Sequence, residues 1–181
     1  MIKKLKITVI LIFNLLALIY LTTPIPVPKD LPNSIKSDLP GDTVQIPNTT
    51  AFFTNMTRTE VINFYKASYT GPFRILLNHP PEKARTIWHQ TTRSYYLEEF
   101  VLPFRQSLYI NGFEWENDVF TKPARRIKNK LLYQGKEYKA KITLRTFPTN
   151  LPARIFVFYL SQATVLILFH SYLRFFKRKK K

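Results

Sequence analysis

The sequence has no cysteine and very little glycine. The absence of cysteine from its 181 residues excludes disulfides, thiolate metal sites and cysteine nucleophiles, and with them a disulfide-stapled secreted fold. Only four glycines are present, and no G-x-S-x-G, G-x-G-x-x-G or P-loop motif occurs. The sequence therefore shows no sign of a nucleophile elbow or of a glycine-rich phosphate cradle.

Acidic residues are missing from both ends of the chain. All 11 of them lie between Asp30 and Glu137, whereas the 28 Lys and Arg residues extend over the whole sequence and give a net charge of +17. Basic residues cluster at the termini, as three lysines among residues 1–6 and as the tail RFFKRKKK. Such clusters beside apolar segments indicate membrane topology as well as anionic partners.

Two long uncharged segments stand next to these clusters. In residues 7–21, ITVILIFNLLALIYL, all residues but Thr8 and Asn14 are apolar, and residues 155–173 carry no charge. We predict transmembrane helices at residues 7–23 and 153–174. A cleaved signal peptide is the alternative for the first segment, and a buried core helix is the alternative for the second.

The two predicted spans define the organisation of the rest of the chain. The basic residues place both termini, residues 1–6 and 175–181, in the cytoplasm, so the central region lies outside it in the cell envelope. Five prolines in residues 24–40 predict an extended stalk. Residues 41–150 then form one α+β domain, with two helices packed on a small antiparallel sheet.

Local signals predict the elements of this domain. Thr57 and Glu60 form a capping box that begins a helix of about 12 residues. A second helix begins at Pro80 and continues through residues 97–108, where Pro103 kinks it or starts a new helix, to a left-handed cap at Asn111-Gly112. Four strands are predicted: an edge strand over residues 43–53, a short strand over residues 73–78, and a hairpin of residues 127–133 and 137–147 that turns at Gln134-Gly135. In the last strand the even-numbered residues 138–144 are predicted to face the core, and the odd-numbered residues 139–145 to face solvent.

The predicted hairpin carries the candidate binding residues. Between Lys122 and Lys141 the only acidic residue is Glu137, and Tyr133 and Tyr138 are interleaved with the basic residues. This pattern is typical of a face that binds an anionic polymer or anionic lipid. The alternative is a solvated face whose lysines prevent edge aggregation. The candidate polyanion-binding or lipid-binding residues are Arg125, Arg126, Lys128, Lys130, Lys139 and Lys141.

Catalytic and metal-binding patterns are weak. The histidines His79, His89 and His170 do not have the H-x-x-x-H or H-E-x-x-H spacing of a local metal site. Glu98 adjoins Glu99, but neighbouring helical residues point in different directions. We therefore predict no catalytic, metal-binding or cofactor-binding residues and a non-enzymatic binding or scaffolding module. A hydrolase of envelope polymers and an accessory subunit of a membrane complex are the alternatives.

Each predicted span contains one amide side chain at a similar depth. Asn14 lies eight residues from the outer boundary at Thr22, and Gln162 lies seven residues from the boundary at Ile155. We predict that Asn14 and Gln162 join the two spans as an antiparallel pair, within one chain or between two copies. The alternative is that each amide bonds its own backbone or faces lipid. The predicted partners are membrane lipid, an anionic polymer, and a second copy or a membrane-complex subunit; no specific nucleic-acid motif occurs.

One segment has a resemblance outside this chain. Residues 80–115, PPEKARTIWHQTTRSYYLEEFVLPFRQSLYINGFEW, are similar to a block found in uncharacterised membrane-anchored proteins of reduced-genome candidate bacterial lineages. The resemblance covers about a fifth of the chain. It implies a bacterial cell-envelope setting, and it implies no activity and no site residues.

Overall fold

The computed structural model describes residues 2–40, 42, 46–79, 96–118 and 121–179. The chain divides into two compact units, a central unit Pro26–Pro148 and a helical unit made of Met1–Ile25 and Thr149–Lys181. In chain order the elements are α1 (Ile2–Thr22), β1 (Ser34–Lys36), β2 (Thr49–Thr54), α2 (Arg58–Ser68), β3 (Ile75–His79), β4 (Tyr96–Leu102), β5 (Gln106–Glu114), two 3₁₀ helices (Trp115–Asn117 and Pro123–Asn129), β6 (Leu131–Tyr133), β7 (Lys136–Tyr138), β8 (Ala140–Pro148) and α3 (Leu151–Lys179).

The central unit is built on a six-stranded antiparallel sheet. Its strand order is β1-β2-β8-β5-β4-β3, and β6 and β7 form a separate two-stranded hairpin. The predicted α+β class is therefore confirmed. The longest ladder joins β5 to β8, from Gln106 opposite Pro148 to Glu114 opposite Ala140. These two pairs mark the two ends of the sheet. We call the end with Gln106 and Pro148 the exit end, because the chain leaves the central unit after Pro148, and the end with Glu114 and Ala140 the far end.

Helix α2 covers one face of the sheet and encloses the main core. Val61, Ile62 and Tyr65 of α2 are buried against alternate residues of the strands. The strand residues of this core are Phe52, Phe100, Leu102, Leu108, Ile110, Ala140, Ile142 and Leu144. The predicted alternation along β8 is thus confirmed, because its even-numbered residues from 140 to 144 are buried while Lys141 and Thr143 are more exposed.

The predicted capping box begins α2. Glu60 N–H donates to Thr57 Oγ1, and the Glu60 carboxylate accepts from the Thr57 backbone N–H at 2.7 Å. The hydrogen bond from the Thr57 backbone N–H, and then the one from the Thr57 hydroxyl to the same carboxylate at 2.8 Å, lower the pKa of Glu60. Two orphan backbone groups at the helix start are thereby satisfied.

The predicted helix across residues 97–108 is wrong. These residues form parts of β4 and β5, and Pro103 lies in the turn between the two strands rather than at a helix kink. Asn111 and Gly112 do not cap a helix, since both pair within β5. The apolar residues at 97, 100, 101, 104 and 108 are compatible with either period, and pairing to β3 and β8 decides for strands. Residues 80–95 lie outside the described residues.

Three further predictions about the central unit need correction. Residues 24–40 are not a free stalk, because Leu31 is buried in the main core and β1 pairs with β2. Strand β2 is not an edge strand, since it lies between β1 and β8. The first hairpin strand is limited to β6, and Pro123–Asn129 is a 3₁₀ helix that begins at a proline.

The two-residue hairpin turn is confirmed, with a shorter second arm than predicted. Gln134 and Gly135 both have positive φ, 49° and 75°, as a type I′ turn requires. The second arm is β7 alone, and β8 joins the large sheet after Lys139.

The helical unit contains one helix that is long and apolar enough to cross a membrane. Among the described residues this is Leu151–Phe175 of α3, whereas the apolar part of α1, Ile7–Thr22, is shorter. Asn150 begins α3 as its N-cap, accepting from Ala153 N–H at 2.8 Å. The side chains of residues 165–169 are exposed apolar groups, which indicates a helix made for lipid or a partner.

Candidate functional site: the basic surface at the far end

The six predicted basic residues do not share one hairpin face. Arg125, Arg126 and Lys128 lie on the 3₁₀ helix, Lys130 follows that helix, Lys139 lies between β7 and β8, and Lys141 is in β8. All six nevertheless lie in the part of the chain that surrounds the far end of the sheet, because the 3₁₀ helices follow β5 at Glu114 and β8 begins at Ala140. Three of them, Arg126, Lys130 and Lys141, make contacts with other residues of the protein, and the other three are exposed to solvent.

Two of the cations make contacts within the far end of the sheet. Lys130 pairs with Glu137 at 2.8 Å and lies 5.3 Å above the Trp115 ring. Arg126 donates to the Glu116 carbonyl at 2.7 Å. These contacts fasten the 3₁₀ segment and the small hairpin to the end of β5, so Arg126 and Lys130 act as structural cations.

Lys141 belongs to a second structural network. Its Nζ lies 2.7 Å from Asp42 Oδ1 and 5.7 Å from the centre of the Phe53 ring. Ser37 Oγ donates to the other oxygen of Asp42 and accepts from Leu39 N–H at 3.3 Å. Both Ser37 and Asp42 are buried, so this Ser–Asp–Lys group organises the loop after β1 rather than presenting a hydroxyl to a substrate.

The small hairpin is attached through aromatic stacking. Tyr133 stacks on Phe53 with ring centres 4.4 Å apart, and Tyr138 packs beside them at 5.9 Å from Phe53. The Tyr133 hydroxyl donates to Asp38 Oδ1 at 2.6 Å. This hydrogen bond raises the pKa of Tyr133 above its ordinary value. The tyrosines that were predicted to be interleaved ligand contacts therefore lie inside the protein.

The 3₁₀ helix is held in place by a polar cluster that the sequence analysis missed. Asp118 is buried and accepts from Thr121 Oγ1 at 2.6 Å and from Asn129 Nδ2 at 3.0 Å. Asn129 also donates to Thr121 Oγ1 at 3.0 Å. The D-x-x-T spacing was the available local signal, since side chains of this type bond nearby groups in turns. These hydrogen bonds join Asp118 and Thr121 to Asn129 at the end of the 3₁₀ helix Pro123–Asn129. They thereby fix the backbone that carries Arg125 and Lys128.

The remaining cations point outward and form the basic surface. Arg125, Lys128 and Lys139 are exposed, and no ion pair involves them within the described residues. Two large apolar side chains on the same segments are exposed as well, Ile127 at 62% and Leu132 at 70%. We define the basic surface as the exposed cations Lys122, Arg125, Lys128, Lys136 and Lys139.

A shallow groove is lined by residues of α2, β3 and β4. Arg58 pairs with the buried Glu98 beside it, and the space has a volume of about 230 Å³. It is smaller than the cavities that bind most small ligands, and its buried carboxylate already has a cationic partner. The groove is therefore a weaker candidate than the basic surface. Its lining residues are Arg58, Thr59, Ile62, Asn63, Lys66, Leu76 and Glu98.

The adjacent carboxylates Glu98 and Glu99 do not face each other. They alternate along β4, so that Glu98 meets Arg58 while Glu99 bonds the Tyr109 hydroxyl. Burial, together with this bond, raises the pKa of Tyr109. Within the described part of the chain no group of three His, Asp or Glu residues is placed to hold a metal ion. His89 lies outside the described residues.

The predicted interhelical amides do come together within the helical unit. Gln162 Nε2 donates to Asn14 Oδ1 at 3.4 Å, and the amide group of Asn14 donates to its own Ile10 carbonyl at 2.9 Å. The ring centres of Phe13 and Phe158 lie 6.2 Å apart in the same helical unit. Arg154, which the sequence analysis did not single out, donates to the Leu21 carbonyl at 3.1 Å.

Comparison with known proteins yields no matching family model, no matching curated protein and no matching solved structure.

Proposed function

We propose that this protein is a two-span membrane-anchored module of the bacterial cell envelope. In this arrangement α1 and α3 both cross the membrane, both termini are cytoplasmic and the central unit lies outside. The length and apolar surface of α3 support the proposal, as do the lysines before α1 and after α3. The apolar part of α1, Ile7–Thr22, is about 24 Å long at roughly 1.5 Å per residue, so in this proposal the lysines before it extend to the headgroups and complete the span.

The paired contacts of α1 with α3 support two spans that run in opposite directions. The Leu21 carbonyl of α1 contacts Arg154 of α3. Asn14 lies seven residues before Leu21, and it contacts Gln162, which lies eight residues after Arg154. Positions that move in opposite directions along two helices define an antiparallel pair. Such a pair brings the chain back to the side of the membrane from which it started.

The central unit acts, in our proposal, as a non-enzymatic binding module for an anionic polymer. The observation that carries this is the basic surface, whose exposed cations Arg125 and Lys128 stand on a segment closed by the buried Asp118. A fixed array of lysine and arginine side chains attracts repeated negative charges without needing a pocket. Binding of this kind is sensitive to salt, because it releases counterions.

The position of the basic surface favours a polymer over the lipid of the anchoring membrane. Both chain ends of the central unit are at the exit end, since Gln106 Nε2 donates to the Pro26 carbonyl at 3.2 Å and Gln106 pairs with Pro148. Lys141 is seven residues from Pro148 along β8, about 23 Å at roughly 3.3 Å per residue. The screening length at physiological salt is about 8 Å. With the exit end facing the membrane, cations at the far end lie beyond the range at which they act on its headgroups.

A binding measurement on the full chain in nanodiscs of zwitterionic lipid tests the polymer proposal. Labelled poly(glycerol phosphate) should bind, and its affinity should fall steeply with salt. The double variant Arg125→Gln/Lys128→Gln should reduce the salt slope by about one to two units, at roughly 0.7–0.9 per phosphate contact. The matched control, Lys29→Gln/Lys66→Gln, removes two exposed cations elsewhere and should bind as the parent does. Equal loss in both variants would show that net charge alone attracts the polymer.

Cysteine labelling tests the topology independently. The chain has no cysteine, so Gln134→Cys in the exposed hairpin turn provides a single reactive site. A membrane-impermeant maleimide should label it in intact cells. A cysteine added after Lys181 should be labelled only after the cells are permeabilised. Labelling of the added cysteine in intact cells would contradict the proposed orientation.

A further inference from the structure

Several large apolar side chains are exposed at the exit end of the sheet. Ile75 pairs with Val101, Val101 with Ser107 and Ser107 with Phe147, so Ile75 and Phe147 lie in one row on one face. They are 49% and 45% exposed. This face is the one opposite the main core, because it alternates with the buried residues of the same strands.

Two further phenylalanines extend this apolar end. Phe104 lies in the turn between β4 and β5, and Phe73 lies two residues before β3; they are 42% and 76% exposed. Both have left-handed backbone, with φ of 61° and 59°. Glycine or asparagine adopts this conformation with little strain, whereas here both positions carry a large apolar ring. Exposure to water does not explain why these two strained positions carry large apolar side chains.

The chain itself indicates what covers this end. Helix α3 begins at Leu151, three residues after Pro148, and three extended residues span at most about 11 Å. Helix α1 ends at Thr22, four residues before Pro26, which also lies beside Gln106. If the two helices enter a membrane, the exit end must lie close to its surface.

The surroundings of Phe147 fit a membrane interface. Arg145 lies 4.8 Å above the Phe147 ring, and Tyr109 packs against the same ring edge-on at 5.3 Å. Arginine stems bury apolar atoms while the guanidinium reaches phosphate, and aromatic rings are enriched where headgroups meet acyl chains. A ring with a cation beside it can therefore enter the interface without burying a charge.

We propose that Phe73, Ile75, Phe104 and Phe147 form an interfacial anchor that inserts into the headgroup and acyl boundary of the membrane crossed by α3. The anchor rests on the proposed membrane topology and adds a second, peripheral contact to it. It holds the exit end on the lipid and directs the basic surface away from the membrane. An α+β domain tethered only by two short connections would otherwise tilt freely.

Spin labels on the full chain test this anchor. The protein is reconstituted in vesicles of phosphatidylethanolamine and phosphatidylglycerol, with single cysteines replacing Phe104, Phe147, Leu132 or Leu166. The Leu132→Cys site is a matched control, since Leu132 is an exposed apolar residue on β6. The Leu166→Cys site reports on α3. Collision with oxygen and with an aqueous nickel chelate is measured at each label, and thermal unfolding verifies that each variant is folded.

Labels at positions 104 and 147 should be protected from the nickel chelate and accessible to oxygen, as the label at 166 should be, whereas the label at 132 should be water-accessible. If 104 and 147 behave like 132 while 166 is protected, the anchor is wrong and the membrane topology stands. If 166 is also accessible to the chelate, α3 is not in lipid, and the proposed topology fails together with the anchor.

Discussion

Gln162 donates a hydrogen bond to Asn14 across the two helices of the helical unit, with 3.4 Å between Nε2 and Oδ1. The other half of the Asn14 amide bonds the Ile10 carbonyl of its own helix at 2.9 Å. The structure thus combines the interhelical pair with the backbone bond that was its alternative. An amide in hydrocarbon is costly unless its donor and acceptor both have partners, and this arrangement provides them for Asn14.

Cysteines at these positions should form a disulfide in membranes. Asn14→Cys/Gln162→Cys should crosslink on oxidation, because both side chains lie on the facing sides of α1 and α3. Leu16→Cys/Leu160→Cys is the matched control, since it moves two residues along each helix, to nearly the opposite faces at a similar depth. Electrophoresis without reductant measures the product. Efficient crosslinking of the control pair, with none at 14 and 162, would contradict the contact.

Arg154 should be more important for the helical unit than its position near a helix start suggests. Its guanidinium donates to the Leu21 carbonyl at the end of α1 and to the Thr149 carbonyl at 2.6 Å. Helix ends leave such carbonyls without intrahelical partners. Arg154→Ala should therefore destabilise the unit by about 1.5–3 kcal/mol, the range for hydrogen bonds to charged groups. Unfolding in micelles measures this, and the exposed Arg174→Ala, which should have little effect, is the control.

The attachment of the small hairpin should weaken in alkaline solution. The hydrogen bond to Asp38 raises the folded-state pKa of Tyr133, so the stability it contributes is complete below the unfolded value of about 10 and is lost as pH rises above it. Tyr133→Phe should keep the ring on Phe53 and remove this alkaline loss. Unfolding midpoints from pH 7 to 11 test it. An unchanged pH dependence in the variant would assign the alkaline loss to other groups.

Gly71 should not tolerate a side chain. A Cβ at this position would lie 2.8 Å from Leu102 Cδ2, and Leu102 is buried in the main core. Gly71→Ala should cost about 1–3 kcal/mol, the usual range for overpacking a core. Leu102→Val removes part of the obstacle, so the double variant should lose less than the sum of the two single variants. Additive losses in chemical denaturation would contradict the contact.

The sequence by itself determined the elements whose signals are local. The capping box of Thr57 and Glu60, the turn at Gln134-Gly135 and the alternation along β8 all depend on residues a few positions apart. The two apolar helices are also visible locally, because continuous apolar composition needs no partner to be recognised. The pairing of Asn14 with Gln162 was predicted from their equal depth and from the need of each amide for a partner, whereas the helix faces that meet are decided by packing.

Only the tertiary structure decided the fate of residues whose pattern suits two conformations. Residues 97–108 fit a helix or two strands, and the ladders to β3 and β8 select strands because they supply backbone partners on both sides. Leu31 and β1 look like a linker in isolation and are part of the sheet and core only because β2 offers an open edge. The separation of structural cations such as Lys141 from the exposed basic surface likewise depends on partners distant in sequence, such as Asp42, whose approach no local pattern encodes.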